Sequence, residues 1–191
     1  MQDIYTNDKS FERKDFTYAS LNKGEYENCI FNSCNFAEST LSGIRFIDCT
    51  FENCNLSLVT LEATSFQHTK FVGCKMLGLK FGTCNHFGLS FSFDNCLLDH
   101  SSFFKTKIRK IVFRNSQLRE TDFAECDLTD SVFDNCDLAN TSFDRTVLEK
   151  ADFRTAYNYS IDPEANRIKK AKFSLGGLSG LLSKYNIIIE R

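Results

Sequence analysis

Nine cysteines and three histidines are the residues whose side chains could do chemistry in this chain of 191 residues. Four of the cysteines recur at nearly constant spacing: Cys34, Cys54, Cys74 and Cys96. Cysteines that recur in this way can be zinc ligands or disulfide partners. His86 follows Cys84 by two residues, a combination typical of a nucleophile and its base. Which chemistry is possible depends on the elements that position these side chains.

The chain repeats with a period of five residues, which fits neither the helical period of 3.6 nor the strand period of 2. Residues 121–140 read TDFAE, CDLTD, SVFDN and CDLAN, with one large apolar residue at the centre of each block. Such centres run from Phe11 to Phe91, slip by two residues, and resume from Leu98 to Phe153. Self-similarity at a fixed period predicts stacked units that bury a shared face.

Like residues also recur every twenty positions, which indicates that four blocks make one coil. If two residues bulge out after Phe91, one column of centres continues through the slip: Phe11, Phe31, Phe51, Phe71, Phe91, Phe113, Phe133 and Phe153. All nine cysteines stand two residues before a centre, where Ser, Thr, Ala and Val are also common. We therefore predict a four-sided solenoid with small residues pointing inward and coils stacked at about 4.8 Å.

A solenoid of this kind argues against the chemistry that the cysteines suggest. A straight ladder of thiols cannot converge on one zinc ion, and parallel stacked side chains are poorly oriented for disulfides. Buried, reduced thiols are the favoured interpretation, which predicts a cytoplasmic protein without metal or cofactor. His86, at a centre, is expected to point inward and to bond the backbone. A filled core leaves no catalytic pocket, so we expect no enzyme activity.

The blocks TDFAE, CDLTD and CDLAN, with the Ala-Asp-Phe of KADFR, resemble the pentapeptide-repeat motif, commonly written A-(D/N)-L-x-x. The resemblance covers residues 11 to about 173 and implies an all-β fold, a right-handed quadrilateral β-helix. We expect this β-helix over residues 1–173, with a register slip near residues 91–96. Residues 174–191 are expected to add a short C-terminal helix and strand.

Two segments of the rod interrupt the pattern. The segment HFGLSFSFDNC, residues 86–96, resembles a mid-rod segment of the Qnr quinolone-resistance proteins, from which long loops project. Here only about two residues are inserted, and a bulge that absorbs the slip is favoured. The run KTKIRK, residues 105–110, makes a basic patch. A solvated face is favoured over nucleic-acid contact for this patch, because no aromatic residues alternate with the charges.

The C-terminus carries an apolar stripe at helical spacing, Leu175, Leu178 and Leu182, followed by an Ile-rich segment that favours a strand. A simple cap and a two-fold dimer contact are both compatible with this pattern. The dimer is favoured because these elements are more apolar than a cap requires, and Qnr-type proteins end in a similar way. The predicted dimer interface consists of Leu178, Leu181, Leu182, Ile187 and Ile189.

Residues 121–160 hold nine acids and three bases, although the whole chain has a net charge of −2. Seven of these acids are expected to face solvent and form an acidic face: Asp122, Asp127, Asp130, Asp134, Asp137, Asp144 and Asp152. Acids at these positions can also serve only to solvate the rod.

The resemblance to Qnr- and MfpA-type proteins implies a DNA mimic that binds DNA gyrase or topoisomerase IV and protects it from quinolones. A generic protein-interaction scaffold is the alternative. The near-neutral total charge and the basic middle of the rod count against mimicry. No direct nucleic-acid binding is expected, and no stretch is apolar enough for a membrane span.

Overall fold

The computed structural model describes residues 4–190. The chain winds through short strands: β1 (Ile4–Asn7), β2 (Ser10–Glu12), β3 (Gly24–Glu27), β4 (Ile30–Asn32), β5 (Arg45–Ile47), β6 (Thr50–Glu52), β7 (Ser65–Gln67), β8 (Thr69–Val72), β9 (Phe91–Asp94), β10 (Val112–Arg114) and β11 (Val132–Asp134). Near the C-terminus lies a helical turn, α1 (Ser179–Leu182). Three 3-10 turns complete the elements: Phe81–Thr83, Leu175–Gly177 and Ser183–Tyr185.

All strand pairing is parallel between successive coils. Strands β1, β3, β5 and β7 form one sheet, and the other seven strands form a second. The remaining sides are joined by isolated bridges between residues one coil apart, such as Thr40 with Thr60 and Asn35 with Asn55. This arrangement confirms the prediction of a four-sided β-solenoid with twenty residues in a regular coil. It has about seven turns.

Phenylalanine rings fill the core in stacks that run along the rod. The ring of Phe113 lies 5.2 Å from that of Phe93 and 5.1 Å from that of Phe133, nearly parallel to both. Rings on neighbouring sides meet edge-on, as Phe103 does with Phe113 at 5.9 Å. Both geometries are favourable for aromatic pairs. The many phenylalanines of the sequence therefore reflect one packing site that recurs on each coil.

The small inward position is selected by hydrogen bonding as well as by size. Where this position holds Cys or Thr, the side chain commonly donates to a backbone carbonyl of the preceding coil, as Cys54 Sγ does to Phe31 O at 3.2 Å and Thr141 Oγ1 does to Leu118 O at 2.6 Å. A buried hydroxyl left without an acceptor would cost about 1–3 kcal/mol. Cys, Ser and Thr are small donors, which explains why they alternate at this position.

The register slip lies before Phe91, and its predicted place near residues 91–96 was wrong. Phe71 pairs with Phe93 in the ladder of β8 and β9, so Phe91 does not continue that column. Residues 86–90 leave the coil instead, and Phe91 is buried. The chain bulges there because burying an imidazole in an apolar core is costly, whereas burying a phenyl ring is favourable.

The prediction that His86 points into the core was therefore wrong. His86 is exposed. Its Nε2 atom lies 3.1 Å from the carbonyl oxygen of Gly82 on the outside of the rod. A histidine at this place is exposed to solvent, whereas the thiol of Cys84 is buried.

The C-terminal segment contains the predicted helix only as short turns, and the predicted strand at Ile187–Ile189 is not formed within the described residues. Gly177 and Gly180 lie against Tyr159, where a Cβ atom would collide with its ring or backbone. Glycines also lower helix stability, so the apolar stripe does not extend into one longer helix. Ile187–Ile189 lack a ladder partner among residues 4–190, and a strand requires one.

Candidate interaction surface

The seven predicted acidic residues encircle the rod and do not share one face. Asp122, Asp127, Asp137 and Asp152 pair with residues one coil away in four separate ladders. Successive five-residue blocks occupy successive sides of the solenoid, so residues close in sequence point in different directions. A flat partner can contact only a part of this set at one time.

Asp137 is held in a buried polar cluster. Its side chain is 3% exposed, and its carboxylate accepts hydrogen bonds from Arg119 Nε at 2.6 Å and Asn158 Nδ2 at 2.8 Å. Burial by itself raises the pKa of this carboxyl, but the bonds from Asn158, Arg119 and the Ala139 N–H outweigh burial and hold the pKa below its usual range. The negative charge of Asp137 is therefore compensated inside the fold, by Arg119 and by the other hydrogen-bond donors.

Asp127 has a similar environment two blocks earlier. Its carboxylate accepts hydrogen bonds from Arg109 Nε at 2.7 Å and from Thr129 Oγ1 at 2.6 Å. Burial raises the pKa of Asp127, and the bonds from Thr129 and Arg109 lower it below its usual range overall. The expectation that all seven acids face solvent was therefore wrong for Asp127 and Asp137. Each turns toward an arginine of the preceding coil because an unpaired buried carboxylate would be strongly destabilising.

Three further acids are paired closer to solvent. Asp134 lies 3.3 Å from Arg114 Nε, Asp144 lies 3.1 Å from Arg145 Nε, and Asp152 lies 2.7 Å from Arg154 Nη2. Hydrogen bonds from Arg154 hold the pKa of Asp152 below its usual range despite partial burial. Of these acids, Asp144 is the most exposed, at 53% of its side chain.

Only two of the seven acids lack a cationic partner among residues 4–190. Asp122 accepts hydrogen bonds from Ser102 Oγ at 3.0 Å and from the Ala124 N–H at 2.9 Å. Asp130 has no side-chain hydrogen bond or ion pair to any described residue and stands at a corner of the coil with a φ of 59°. These two positions, with Asp144, keep the negative charge most available to a partner.

The basic patch of residues 105–119 supplies the cations that pair with Asp127, Asp134 and Asp137. Lys105 lies 3.6 Å from Glu125, and Arg109, Arg114 and Arg119 reach the acids of the following coil. The positive charge of the patch and the negative charge of residues 121–140 therefore compensate each other in part, because the two segments lie on adjacent coils. These pairs were not predicted from the sequence, although their spacing of 18–20 residues follows from the twenty-residue coil.

The cysteines are free and buried. Burial raises the pKa of Cys49, Cys84 and Cys136 to about 12, so these thiols remain protonated and unreactive at neutral pH. Across the described part of the chain, no three His, Cys, Asp or Glu side chains come together to hold a metal ion. The same residues include no helix with the length and apolar character needed to cross a membrane.

The predicted dimer interface is largely exposed in the single chain. Leu178 is 41% exposed, Ile187 55% and Ile189 54%, and Leu182 is exposed as well. Leu181 packs in part against the core. Exposed apolar side chains concentrated at one end are a common mark of protein contact surfaces.

Stacked five-residue blocks around an aromatic core define a β-solenoid. The family model for the pentapeptide repeat region matches residues 24–92 and 89–157. The chain therefore belongs to the pentapeptide-repeat family. No curated protein matches it.

Two solved structures align with most of the chain at low identity. Full-length QnrB1, a plasmid-mediated fluoroquinolone resistance protein, is 17% identical, with 96% of this chain and 100% of that chain covered and a TM-score of 0.48. HetL, a pentapeptide-repeat protein involved in heterocyst differentiation regulation in the cyanobacterium Nostoc, is 14% identical, with 90% and 86% covered and a TM-score of 0.47.

Proposed function

We propose that this chain is a non-enzymatic, protein-binding rod that works in the cytoplasm as a homodimer joined through its C-terminal ends. The observation that carries the proposal is the disposition of the reactive groups: the nine thiols are buried, and most carboxylates of residues 121–160 are held in ion pairs. Such a molecule offers shape and surface charge to a partner. The nine reduced cysteines are consistent with the cytoplasm.

The dimer is tested by placing charges in its proposed interface. Leu178→Glu combined with Ile187→Glu is expected to convert a dimer into a monomer, because burying two carboxylates from each chain is prohibitive. Light scattering coupled to size-exclusion chromatography gives the mass directly. Leu58→Glu is the matched control, since Leu58 is 59% exposed on the body of the rod. A monomeric wild-type protein at high micromolar concentration would contradict the proposal.

For the partner, we propose the DNA-binding surface of a type II topoisomerase, with DNA gyrase as the first to test and topoisomerase IV as the second. In a dimer joined at the C-termini, residues 121–160 of both copies lie near the two-fold axis, so their available carboxylates flank the centre of the assembly. Asp122, Asp130 and Asp144 are the acids that support this proposal. Charge complementarity with a basic DNA-binding groove would orient the rod.

The test measures supercoiling by purified gyrase with the protein titrated in, with and without a quinolone. We expect inhibition, or rescue from the drug, and we expect Asp130→Lys or Asp144→Lys to weaken the effect by about tenfold or more. Lysine is tolerated at position 130 because Lys110, Lys150 and Lys170 adopt the same positive φ at the equivalent corners of other coils. Asp127 and Asp137 are unsuitable for this purpose because their loss would disturb the fold.

Glu38→Lys is the matched control for these charge reversals. Glu38 is exposed, has a φ of 58°, and stands in the N-terminal part of the rod, far from the proposed centre of the dimer. It is expected to leave any effect on gyrase unchanged. If the wild-type protein has no effect on either topoisomerase at a large excess, the topoisomerase proposal is wrong and the dimeric scaffold remains to be matched with another partner.

A further inference from the structure

The bulge of residues 86–90 presents an aromatic side chain to solvent in the middle of the rod. Phe87 is 82% exposed, whereas the phenylalanine centres of the neighbouring coils are buried. An exposed phenyl ring lacks the apolar contacts of a buried one and therefore does not stabilise the fold. Its position on a departure from the repeat indicates a role outside the core.

Hydrogen bonds hold the bulge in one shape. The Phe87 N–H donates to Asn85 Oδ1 at 3.0 Å, and Ser90 Oγ accepts from the His68 N–H at 2.8 Å. Gly88 has a φ of 68°, a left-handed conformation that glycine adopts without strain. The ring is therefore presented by an ordered support, which reduces the entropy lost when a partner binds.

An apolar groove lies beside the bulge. Its volume is about 220 Å³, and its lining includes Leu89 and Phe91 from the bulge coil and Ile108 and Ile111 from the next coil. The groove has room for one medium-sized side chain, and its lining favours an aliphatic group. Phe87 and the groove together provide the apolar part of a small contact surface.

Cations lie on one side of the groove, on the coil of Ile108. Arg109 and Lys110 belong to its lining, and Lys107 precedes them on the same coil. Arg109 is engaged with Asp127, but Lys107 and Lys110 are exposed and form no ion pair within the described residues. Two positive charges therefore remain available next to an apolar groove.

We propose that this surface, formed by Phe87, the groove and the two free lysines, binds an acidic peptide segment that carries an aliphatic side chain between its carboxylates. The aliphatic side chain enters the groove, Phe87 packs over it, and Lys107 and Lys110 pair with the flanking acids. The charge on both partners makes the contact sensitive to salt.

A single-stranded nucleic acid fits the surface less well. Its backbone needs a continuous track of cations, but the coil after Lys107 and Lys110 carries Asp127 and Asp130 in the same columns. The positive surface is therefore one coil deep. The structure also brings only one exposed aromatic side chain, Phe87, to this bulge.

The test uses the full chain and a fluorescein-labelled peptide of nine residues, with leucine at the centre and Glu or Asp elsewhere, followed by fluorescence anisotropy. We expect saturable binding at micromolar concentrations, and Phe87→Ala or the Lys107→Ala/Lys110→Ala pair should weaken it by about tenfold or more. A peptide with serine in place of leucine should bind about tenfold more weakly. Tyr18→Ala and Lys150→Ala/Lys170→Ala are matched controls, because they remove an exposed aromatic side chain and two exposed lysines elsewhere.

No binding at millimolar peptide, or binding that Phe87→Ala leaves unchanged, overturns the inference. Tighter binding of labelled oligothymidine than of the peptide also overturns it and identifies a nucleic-acid surface instead. The inference rests on the proposed protein-binding role. Its failure is distinguishable from failure of that role, because the dimer and gyrase assays do not depend on Phe87.

Discussion

Replacing Phe133 with alanine is expected to lower the free energy of unfolding by about 3–5 kcal/mol. The ring of Phe133 is fully buried and stacks between those of Phe113 at 5.1 Å and Phe153 at 4.7 Å. The rings of Phe123 and Phe143 meet it edge-on from the neighbouring side. Its removal leaves a cavity that the stack cannot close, since the coil spacing is set by the backbone ladder. Urea denaturation followed by far-ultraviolet circular dichroism measures the loss.

Phe87→Ala is the control for this prediction. The chemical change is identical, but Phe87 is 82% exposed, so the free energy of unfolding is expected to change by less than about 0.5 kcal/mol. Equal losses for the two variants would contradict the picture of an aromatic core with a solvent-exposed bulge. The pair also checks that Phe87→Ala is folded, which the peptide-binding test requires.

The coil architecture could be predicted from the sequence because it rests on one repeated packing site. The five-residue period, and the twenty-residue period built from it, recur along most of the sequence. A few departures from the pattern therefore leave it recognisable. The position of the bulge was harder to predict. Counting in fives from Phe81 assigns a centre to His86, and only Phe91 and Phe93, two large aromatic residues separated by one position, hint that the chain has left its register there.

The candidate site was predicted less well because its charges were counted along the sequence and not across the coils. Arg119 and Asp137 fall in different segments when charge is counted along the sequence. A twenty-residue coil places them on adjacent turns, where Arg119 Nε lies 2.6 Å from Asp137 Oδ2. Applying the period to charged residues would have identified this pair. The absence of a strand at Ile187–Ile189 could not be predicted in this way, because strand formation depends on a partner outside the segment.

Replacing Asp137 with alanine is expected to lower the free energy of unfolding at pH 7 by about 2–3 kcal/mol. The carboxylate accepts three hydrogen bonds, from Arg119 Nε, Asn158 Nδ2 and the Ala139 N–H, in a nearly buried position. The matched control is Asp144→Ala. Asp144 is 53% exposed and pairs with Arg145, which is itself mostly exposed, so the change should be within about 0.5 kcal/mol. Urea denaturation of the three proteins in parallel provides the comparison.

The wild-type protein and Asp137→Ala should differ most in free energy of unfolding at neutral pH, and this difference should shrink on acidification. The pKa of Asp137 in the folded protein is below its usual range, so the stabilisation is complete above the unfolded-state pKa of about 4 and is lost as the pH falls through the lower folded-state value. Denaturation curves between pH 7 and pH 2 should therefore show a constant difference down to about pH 4 and a narrowing difference below it. A difference that is small at pH 7 and grows on acidification would mean that Asp137 is folded as a protonated acid. Asp137 would then be uncharged, and it could neither form an ion pair with Arg119 nor offer a negative charge to a partner.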